Sequence, residues 1–147
     1  MGDGKKGVLR VVFDKRIRLE FHGAKITSDG GLLLYRELDD ALGLTEVAEE
    51  GLEDPRAGKN TQHKITPLLR QSVYSRLAGY EDTNDAERLR VDPAMRQVVG
   101  GRAKKRLAAS TSEVSRFETE ILTSDENLAA LTGLSGEWVD RVNTRRG

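Results

Sequence analysis

The stretch RLAGYEDTNDAERL, residues 76–89, joins two predicted helices and decides how the middle of the chain is organised. Gly79 is placed to end the first helix, because glycine adopts the left-handed conformation that often follows a helix. Asp82, Thr83 or Asn84 can cap the second helix, which continues to the end of the stretch. The sequence therefore predicts a tight junction between two helices.

The acidic side chains of this junction raise the alternative of a metal site. Glu81, Asp82, Asp85 and Glu87 are four carboxylates within seven residues, and hard cations prefer oxygen ligands. The cluster lacks the aspartate spacing, the glycine and the distant glutamate of an EF-hand loop. Asp82 and Asp85 lie one turn apart at a helix start, where negative charge suits the helix dipole. We interpret the cluster as helix caps and assign no metal ligand.

The composition indicates one polar, helix-rich domain. Of 147 residues, 37% are hydrophobic, 33% charged and 5% aromatic, and this length allows a modest core. The absence of cysteine excludes disulfides, thiolate zinc sites and a thiol nucleophile. The two histidines, His22 and His63, are too few for a multi-histidine metal centre, and we interpret both as polar contacts. No apolar run is long enough to span a bilayer, so we expect a cytoplasmic, nucleoid-associated protein.

The fold class predicted from hydrophobic periodicity is mainly α. Two β-prone runs, Val8–Phe13 and Arg16–Phe21, predict an N-terminal β-hairpin within residues 1–28. Residues 29–147 predict a multi-helix bundle with a helix-turn-helix-like unit. Ser28 or Asp29 is expected to cap its first helix and Gly43 to end it. The apolar stripe of that helix comprises Leu34, Leu38 and Leu42.

Later helix starts carry similar signals. Thr66-Pro67 and Asp92-Pro93 each combine a capping side chain with proline at the first helical position. Capping boxes are predicted at residues 110–113 and 123–126, and a last helix is predicted to begin at Ser135.

The net charge of zero conceals a basic middle segment. Residues 56–116 hold thirteen basic and six acidic side chains, whereas residues 29–55 hold one basic and nine acidic ones. Segment GGRAKKR, residues 100–106, has four positive side chains in seven positions and precedes the Ser110 helix. Such a block is the electrostatic footprint of a nucleic-acid partner. The DNA-binding residues predicted in the block and on one stripe of the helix are Arg102, Lys104, Lys105, Arg106, Ser112, Ser115, Arg116 and Thr119.

A helix carrying short hydroxyls and one arginine suits the major groove of DNA. With the Pro93 helix before it, the arrangement resembles a helix-turn-helix. Two observations count against this interpretation: the connection from Gly100 to Ala109 is longer than usual, and Glu113, Glu118 and Glu120 would repel phosphates. A solvated amphipathic helix is the alternative at this stage.

Four segments follow one another in the order seen in one protein family. They resemble the N-terminal region of bacterial insertion-sequence transposases of the DDE type, called transposase DDE domain group 1. The resemblance runs from about Phe13 to Val142, and its most specific motif is GYEDxNDAxxLRxDPA at Gly79–Ala94. The segments are SDGGLLLYRELDDALGLT (28–45), DPR (54–56), LLRQSVYSRLAGYEDTNDAERLRVDPAMRQVVG (68–100) and ASTSEVSRFETEI (109–121).

This resemblance implies DNA transposition by a ribonuclease-H-like core, in which three carboxylates and divalent metal (Mg²⁺ or Mn²⁺) carry out phosphodiester strand transfer. No acidic residue here matches those carboxylates, so we assign no catalytic residue and no cofactor to this chain. The sequence ends at residues 145–147, about where the first catalytic strand is expected. We therefore expect a truncated transposase that lacks the catalytic domain and is inactive alone, with a hairpin arm at 1–28 and a DNA-binding or assembly region at 29–147.

Two functions stay open from the sequence. In the first, the chain binds double-stranded DNA at the terminal inverted repeats of its element. In the second, it is a non-catalytic dimerisation or assembly module, for which Leu131, Leu134 and Trp138 are candidate interface residues. A freestanding helix-turn-helix regulator is a third, less favoured alternative. The expected partners are DNA and a second copy of the chain, and no membrane partner is expected.

Overall fold

The computed structural model describes residues 9–19, 29–56 and 61–147, and this part of the chain is mainly α-helical. None of its helices is long and apolar enough to cross a membrane. A 3₁₀ turn precedes α4, a second follows α5, and a π-helical turn continues α6. The helices are α1 (Leu32–Leu42), α2 (Leu44–Gly51), α3 (Ile65–Leu77), α4 (Ala86–Leu89), α5 (Pro93–Val99), α6 (Thr111–Arg116) and α7 (Asp125–Arg146), and the turns are Thr83–Asp85, Gly101–Lys104 and Phe117–Ile121.

The predicted N-terminal β-hairpin is wrong, whereas the mainly-α class is confirmed. Among the described residues, strand pairing comprises Leu9–Arg10 and Arg18–Leu19, which run antiparallel with Leu9 opposite Leu19. Residues 11–17 between them form no strand. The parts of the prediction that fall on residues 1–8 and 20–28 lie outside the described residues.

Contacts with helices hold residues 11–13 in place. Val11 is only 4% exposed and belongs to a core cluster formed with helical side chains. The backbone N–H of Val12 donates to the carboxylate of Glu37 on α1, and Arg36 of the same helix lies over the Phe13 ring. Val11 and Phe13, two apolar residues of the first β-prone run, therefore pack against helices.

Helix α3 is the centre of the fold and packs against α1, α2, α5 and α6. It contributes Tyr74 to one apolar cluster and Ile65, Leu68 and Leu69 to another. Because it is surrounded, even polar side chains on it are buried: Gln71 is 1% exposed and Ser72 7%.

Helix α1 turns part of its leucine stripe outward. Gly31 and not Asp29 precedes its first turn, and Ser28 lies outside the described residues. Leu34 is 57% and Leu38 54% exposed, so the buried stripe predicted from their spacing is wrong. Its end at Gly43 is confirmed by the left-handed φ of 76°.

Polar caps are confirmed where a side chain accepts a backbone N–H across the first turn. Asp82 accepts from Asn84, and Asp92 from Met95 with Pro93 following. Ser110 and Glu113 form the predicted capping box.

Other predicted helix starts are wrong. Thr66 lies inside the first turn of α3, and its buried hydroxyl oxygen has no hydrogen-bond partner. Ser124 caps α7 in place of a capping box at 123–126, and α7 continues through Ser135 without a new start.

Contacts of the GYED junction, residues 79–82, join two distant parts of the chain. The Tyr80 hydroxyl donates to the Asp29 carboxylate at 3.1 Å, and Asp29 is 8% exposed. Arg88 stacks on the Tyr80 ring at 4.7 Å from its centroid. The junction is thus structural, since its aromatic residue locks the turn before α1 against the turn after α3.

The basic segment between α5 and α6 is a pinned loop. We call residues 100–110 the basic loop. Its alanines Ala103, Ala108 and Ala109 are at most 1% exposed and belong to the two apolar clusters. Gln71 of α3 holds Ala109 from both sides: its amide donates to the Ala109 carbonyl at 2.8 Å and accepts the Ala109 N–H at 2.9 Å. The connection from Gly100 to Ala109 is therefore part of the core packing.

Two glycines turn the chain from α5 into the basic loop. Gly100 has φ 78° and ψ −162°, and Gly101 has φ 58°. A Cβ built on Gly100 would lie 3.5 Å from Arg36 and 3.7 Å from Arg70. Conformations of this kind are strained for any other residue.

We predict that Gly100→Ala lowers the free energy of unfolding by about 1–3 kcal/mol, because alanine resists the left-handed φ. Gly31→Ala is the matched control: the position has ordinary helical angles and open space around its Cβ, so we expect an effect below about 1 kcal/mol. Urea denaturation of both variants measures the difference, and equal stabilities would contradict the backbone argument.

We predict that Gln71→Leu is strongly destabilising, because it leaves the buried N–H and C=O of Ala109 without partners at about 1–3 kcal/mol each. Gln97→Leu, at a half-buried glutamine on α5, is the control and should cost less than about 1 kcal/mol. Thermal and urea denaturation check both values. A Gln71→Leu protein as stable as the control would show that the bonds to Ala109 are dispensable.

Candidate nucleic-acid interface

The basic loop and the residues beneath it enclose an open cleft of about 480 Å³. Five of its eight lining residues are arginine or lysine and none is acidic, so the cleft has a positive potential that attracts polyanions. We call this site the basic cleft. Its lining residues are Gln62, His63, Arg90, Arg96, Arg102, Lys105, Arg106 and Leu107.

Arg90 and Arg96 form the inner part of the basic cleft and support the loop above them. Both are half-buried. Arg96 Nε donates to the Ala103 carbonyl at 2.9 Å, and Arg90 Nε lies 3.5 Å from the Ala108 carbonyl. The Ala108 N–H in turn donates to the Arg90 carbonyl at 3.0 Å. These arginines therefore shape the loop while adding charge below it.

The exposed cations of the basic loop form the outer part of the cleft. Arg102, Lys105 and Arg106 are all exposed, and the structure brings these three predicted residues together. Lys104 is separated from them, because its ammonium lies 3.6 Å from the Asp14 carboxylate and its side chain does not line the cleft.

His63 joins the rim of the cleft to the start of α6. The residue is 3% exposed, and its Nε2 lies 3.1 Å from the Leu107 carbonyl while Nδ1 lies 3.0 Å from Glu113 Oε1. Glu113 also accepts the backbone N–H of Ser110 in the capping box. One imidazole thus ties the basic loop to the helix that follows it.

The carboxylates next to the cleft are held ionised. Burial alone would raise the pKa of Glu113, but the Ser110 N–H and the His63 ring outweigh it and place that pKa below its ordinary value. The backbone N–H of Thr111, helped by Arg90 against the effect of burial, likewise lowers the pKa of Glu87. Both groups act as hydrogen-bond acceptors for the protein at neutral pH.

The predicted stripe on the Ser110 helix lies apart from the basic cleft. Ser112, Arg116 and Thr119 are exposed and Ser115 is half-buried, and none of the four lines the cleft. Helix α6 is six residues long and then widens into the π-helical turn. The Thr119 hydroxyl donates to the Ser115 carbonyl at 2.8 Å.

A helix-turn-helix is not confirmed. Helix α5 packs chiefly on α1 and α3, whereas α6 packs on α3, α4 and the 3₁₀ turn before α4. The basic loop, which includes a 3₁₀ turn of its own, separates the two helices.

Two of the three glutamates that would repel phosphates face protein groups. Glu113 faces Ser110 and His63, as described above. Glu118 accepts from the Ser72 hydroxyl at 2.6 Å and from Arg76 at 2.7 Å. The hydrogen bond from Arg76, added to that from Ser72, lowers the pKa of Glu118 although burial opposes the shift. Glu120 is exposed.

Arg90, Arg96, Gln62 and His63 belong to the cleft and are missing from the residues predicted to bind DNA. The basic count of residues 56–116 includes both arginines, so the charge signal was present. Their convergence with the basic loop depends on contacts across the fold, which the sequence does not display.

The described part of the chain offers no fit for the divalent metal that the resemblance implies. Among residues 9–19, 29–56 and 61–147, no three His, Asp or Glu side chains converge to hold a metal ion. Asp82 of the acidic junction instead accepts from Asn84, and Glu87 from Thr111. We therefore derive no chemical step through a metal here.

Comparison with known proteins identifies the family. A family model described as transposase DDE domain group 1 matches residues 9–146. Searches of curated proteins and of solved structures gave no match. Because the matched segment spans nearly all of the 147 residues, the chain belongs to the transposase DDE domain group 1 family.

Proposed function

We propose that this chain binds double-stranded DNA through its basic cleft, at the terminal inverted repeats of its insertion sequence. The single observation that carries the proposal is the convergence of five cationic side chains on one cleft that has no acidic lining residue. Membership of a transposase family supports DNA as the polyanion.

The two parts of the cleft suit different tasks in DNA binding. Arg102, Lys105 and Arg106 are exposed and free to reach phosphates, and contacts of this kind dominate affinity without carrying sequence information. Arg90 and Arg96 hold the loop beneath them, so the outer cations keep their positions before DNA arrives. Such preorganisation reduces the entropy lost on binding.

Recognition of the element ends requires contacts with base edges as well. Arg116 and Ser112 offer exposed polar groups on α6 for this task, and arginine pairs with guanine in the major groove. We propose that α6 reads sequence while the basic cleft grips the backbone. The family typically uses a divalent metal for strand transfer, and no residue of this chain is assigned to that step.

We predict that Lys105→Ala with Arg106→Ala weakens binding to the element ends roughly tenfold at moderate salt and reduces the salt slope by about 0.9 for each lost phosphate contact. Fluorescence anisotropy on the inverted-repeat duplex and on a scrambled duplex, at two salt concentrations, measures both quantities. The wild type should prefer the element ends, and the double variant should lose affinity for both duplexes alike, because phosphates carry no sequence.

The matched control removes the same charge elsewhere: Lys15→Ala with Arg146→Ala, at two exposed positions outside the cleft. Equal losses in the two double variants would indicate a diffuse charge effect and contradict the cleft assignment. Equal wild-type affinity for both duplexes would contradict recognition of the element ends.

An exposed apolar groove favours assembly as a second candidate function. The groove, of about 110 Å³, lies between α1, α3 and α7, with Leu38 54% and Leu77 49% exposed at its edges. Trp138 lines it and donates its indole N–H to the Leu42 carbonyl. The predicted interface residues Leu131 and Leu134 instead pack against an apolar cluster. A concentration-dependent dimer in sedimentation, with no DNA affinity, would favour assembly over DNA binding.

A further inference from the structure

We propose that His63 is a positioning residue that couples the grip of the basic cleft on DNA to pH: its doubly protonated form, held between Glu113 and Leu107, keeps the basic loop in its binding shape. The inference rests on the proposed function, because DNA is taken as the partner of the cleft. It adds a regulatory property that charge alone does not supply.

The first step is the position of the proton on Nε2. This nitrogen lies 3.1 Å from the Leu107 carbonyl oxygen, which can only accept. Nε2 must therefore carry a hydrogen in this arrangement. The ring is 3% exposed, so water does not readily replace the bond.

The second step concerns Nδ1, which lies 3.0 Å from Glu113 Oε1. The other oxygen of Glu113 already accepts the Ser110 N–H at 2.9 Å and faces the Ser110 hydroxyl at 3.1 Å. The carboxylate is thus an acceptor toward both neighbours, so Nδ1 must donate as well. A neutral imidazole has only one N–H and can satisfy only one of its two partners.

Loss of the second proton would therefore loosen one side of the basic loop. A lone pair on Nδ1 would face the Glu113 carboxylate, and the ring would have to move away from Glu113 or from Leu107. Leu107 directly follows Lys105 and Arg106, two of the three outer cations of the cleft. The His63 backbone stays fixed by Arg56, whose guanidinium donates to the His63 carbonyl at 2.9 Å.

Charged groups of both signs lie around His63. Glu113 contacts the ring directly, and His63 lines the basic cleft together with its five cations. The other charged groups on neighbouring elements are Arg56 with its partner Asp54, Lys64 beside His63 in sequence, and Glu87 of α4, which accepts the Thr111 N–H at the start of α6.

The test compares DNA affinity at about pH 6 and about pH 8, a range that brackets ordinary histidine titration. For the wild type we expect roughly tenfold weaker binding at the higher pH, since a charge-assisted hydrogen bond is lost. Glu113→Gln is the decisive variant. The introduced amide can donate to a neutral Nδ1, and glutamine also fits a capping box, so its affinity should be nearly independent of pH.

A Glu113→Gln protein with the full wild-type pH dependence would overturn the proposal, because it would show His63 or another group titrating against DNA directly. A wild type without pH dependence would overturn it too. Thermal denaturation of Glu113→Gln verifies that the variant is folded.

A measurement without DNA separates this inference from the proposed function. In ¹⁵N NMR spectra of the free protein, the amides of Leu107 and Ala108 should shift with the same pH midpoint as the His63 ring. Absence of DNA binding at every pH would refute the proposed function, whereas loop amides that ignore the His63 titration would refute the positioning role.

Discussion

The rest of the structure depends on two hydrogen bonds, which join the Gln71 side-chain amide to the backbone N–H and C=O of Ala109. A buried backbone N–H or C=O without a partner is costly, and the basic loop places Ala103, Ala108 and Ala109 in the core. Gln71 satisfies Ala109 completely, and Arg96 accounts for the Ala103 carbonyl. The loop can enter the core only because α3 and its neighbours supply these partners.

The buried alanines of the loop leave three of its cations exposed. Turning Arg102, Lys105 or Arg106 inward would expose Ala103 or Ala108. A linker with the same charge would spread its cations over many conformations, and binding would have to order them. The fold holds the exposed cations of this segment around one cleft, which supports the proposed contacts with the DNA backbone.

Local signals in the sequence predict part of the local structure in this protein. Asp92 with Pro93, and Ser110 with Glu113, mark helix starts because cap and first turn lie within four residues. The hairpin prediction was wrong because apolar side chains in a β-prone run can pack against helices as well as pair with a strand. The density of basic residues in the sequence indicated the outer cations of the cleft. Arg90, Arg96 and His63 could not be predicted as part of it, because contacts between distant segments bring them there. Burial of the alanines in the basic loop could not be predicted from the sequence, since alanine is common in linkers and cores alike.

Rigidity of the basic loop in the free protein is the property on which the proposed DNA binding rests. Amide hydrogen exchange of the DNA-free protein tests it most directly, at the Ala109 N–H held by Gln71 and the Ala108 N–H held by the Arg90 carbonyl. Both amides should exchange as slowly as core amides of α3 and α5, through global unfolding. Exchange at the rate of an exposed loop would contradict a cleft that is already formed in the free protein.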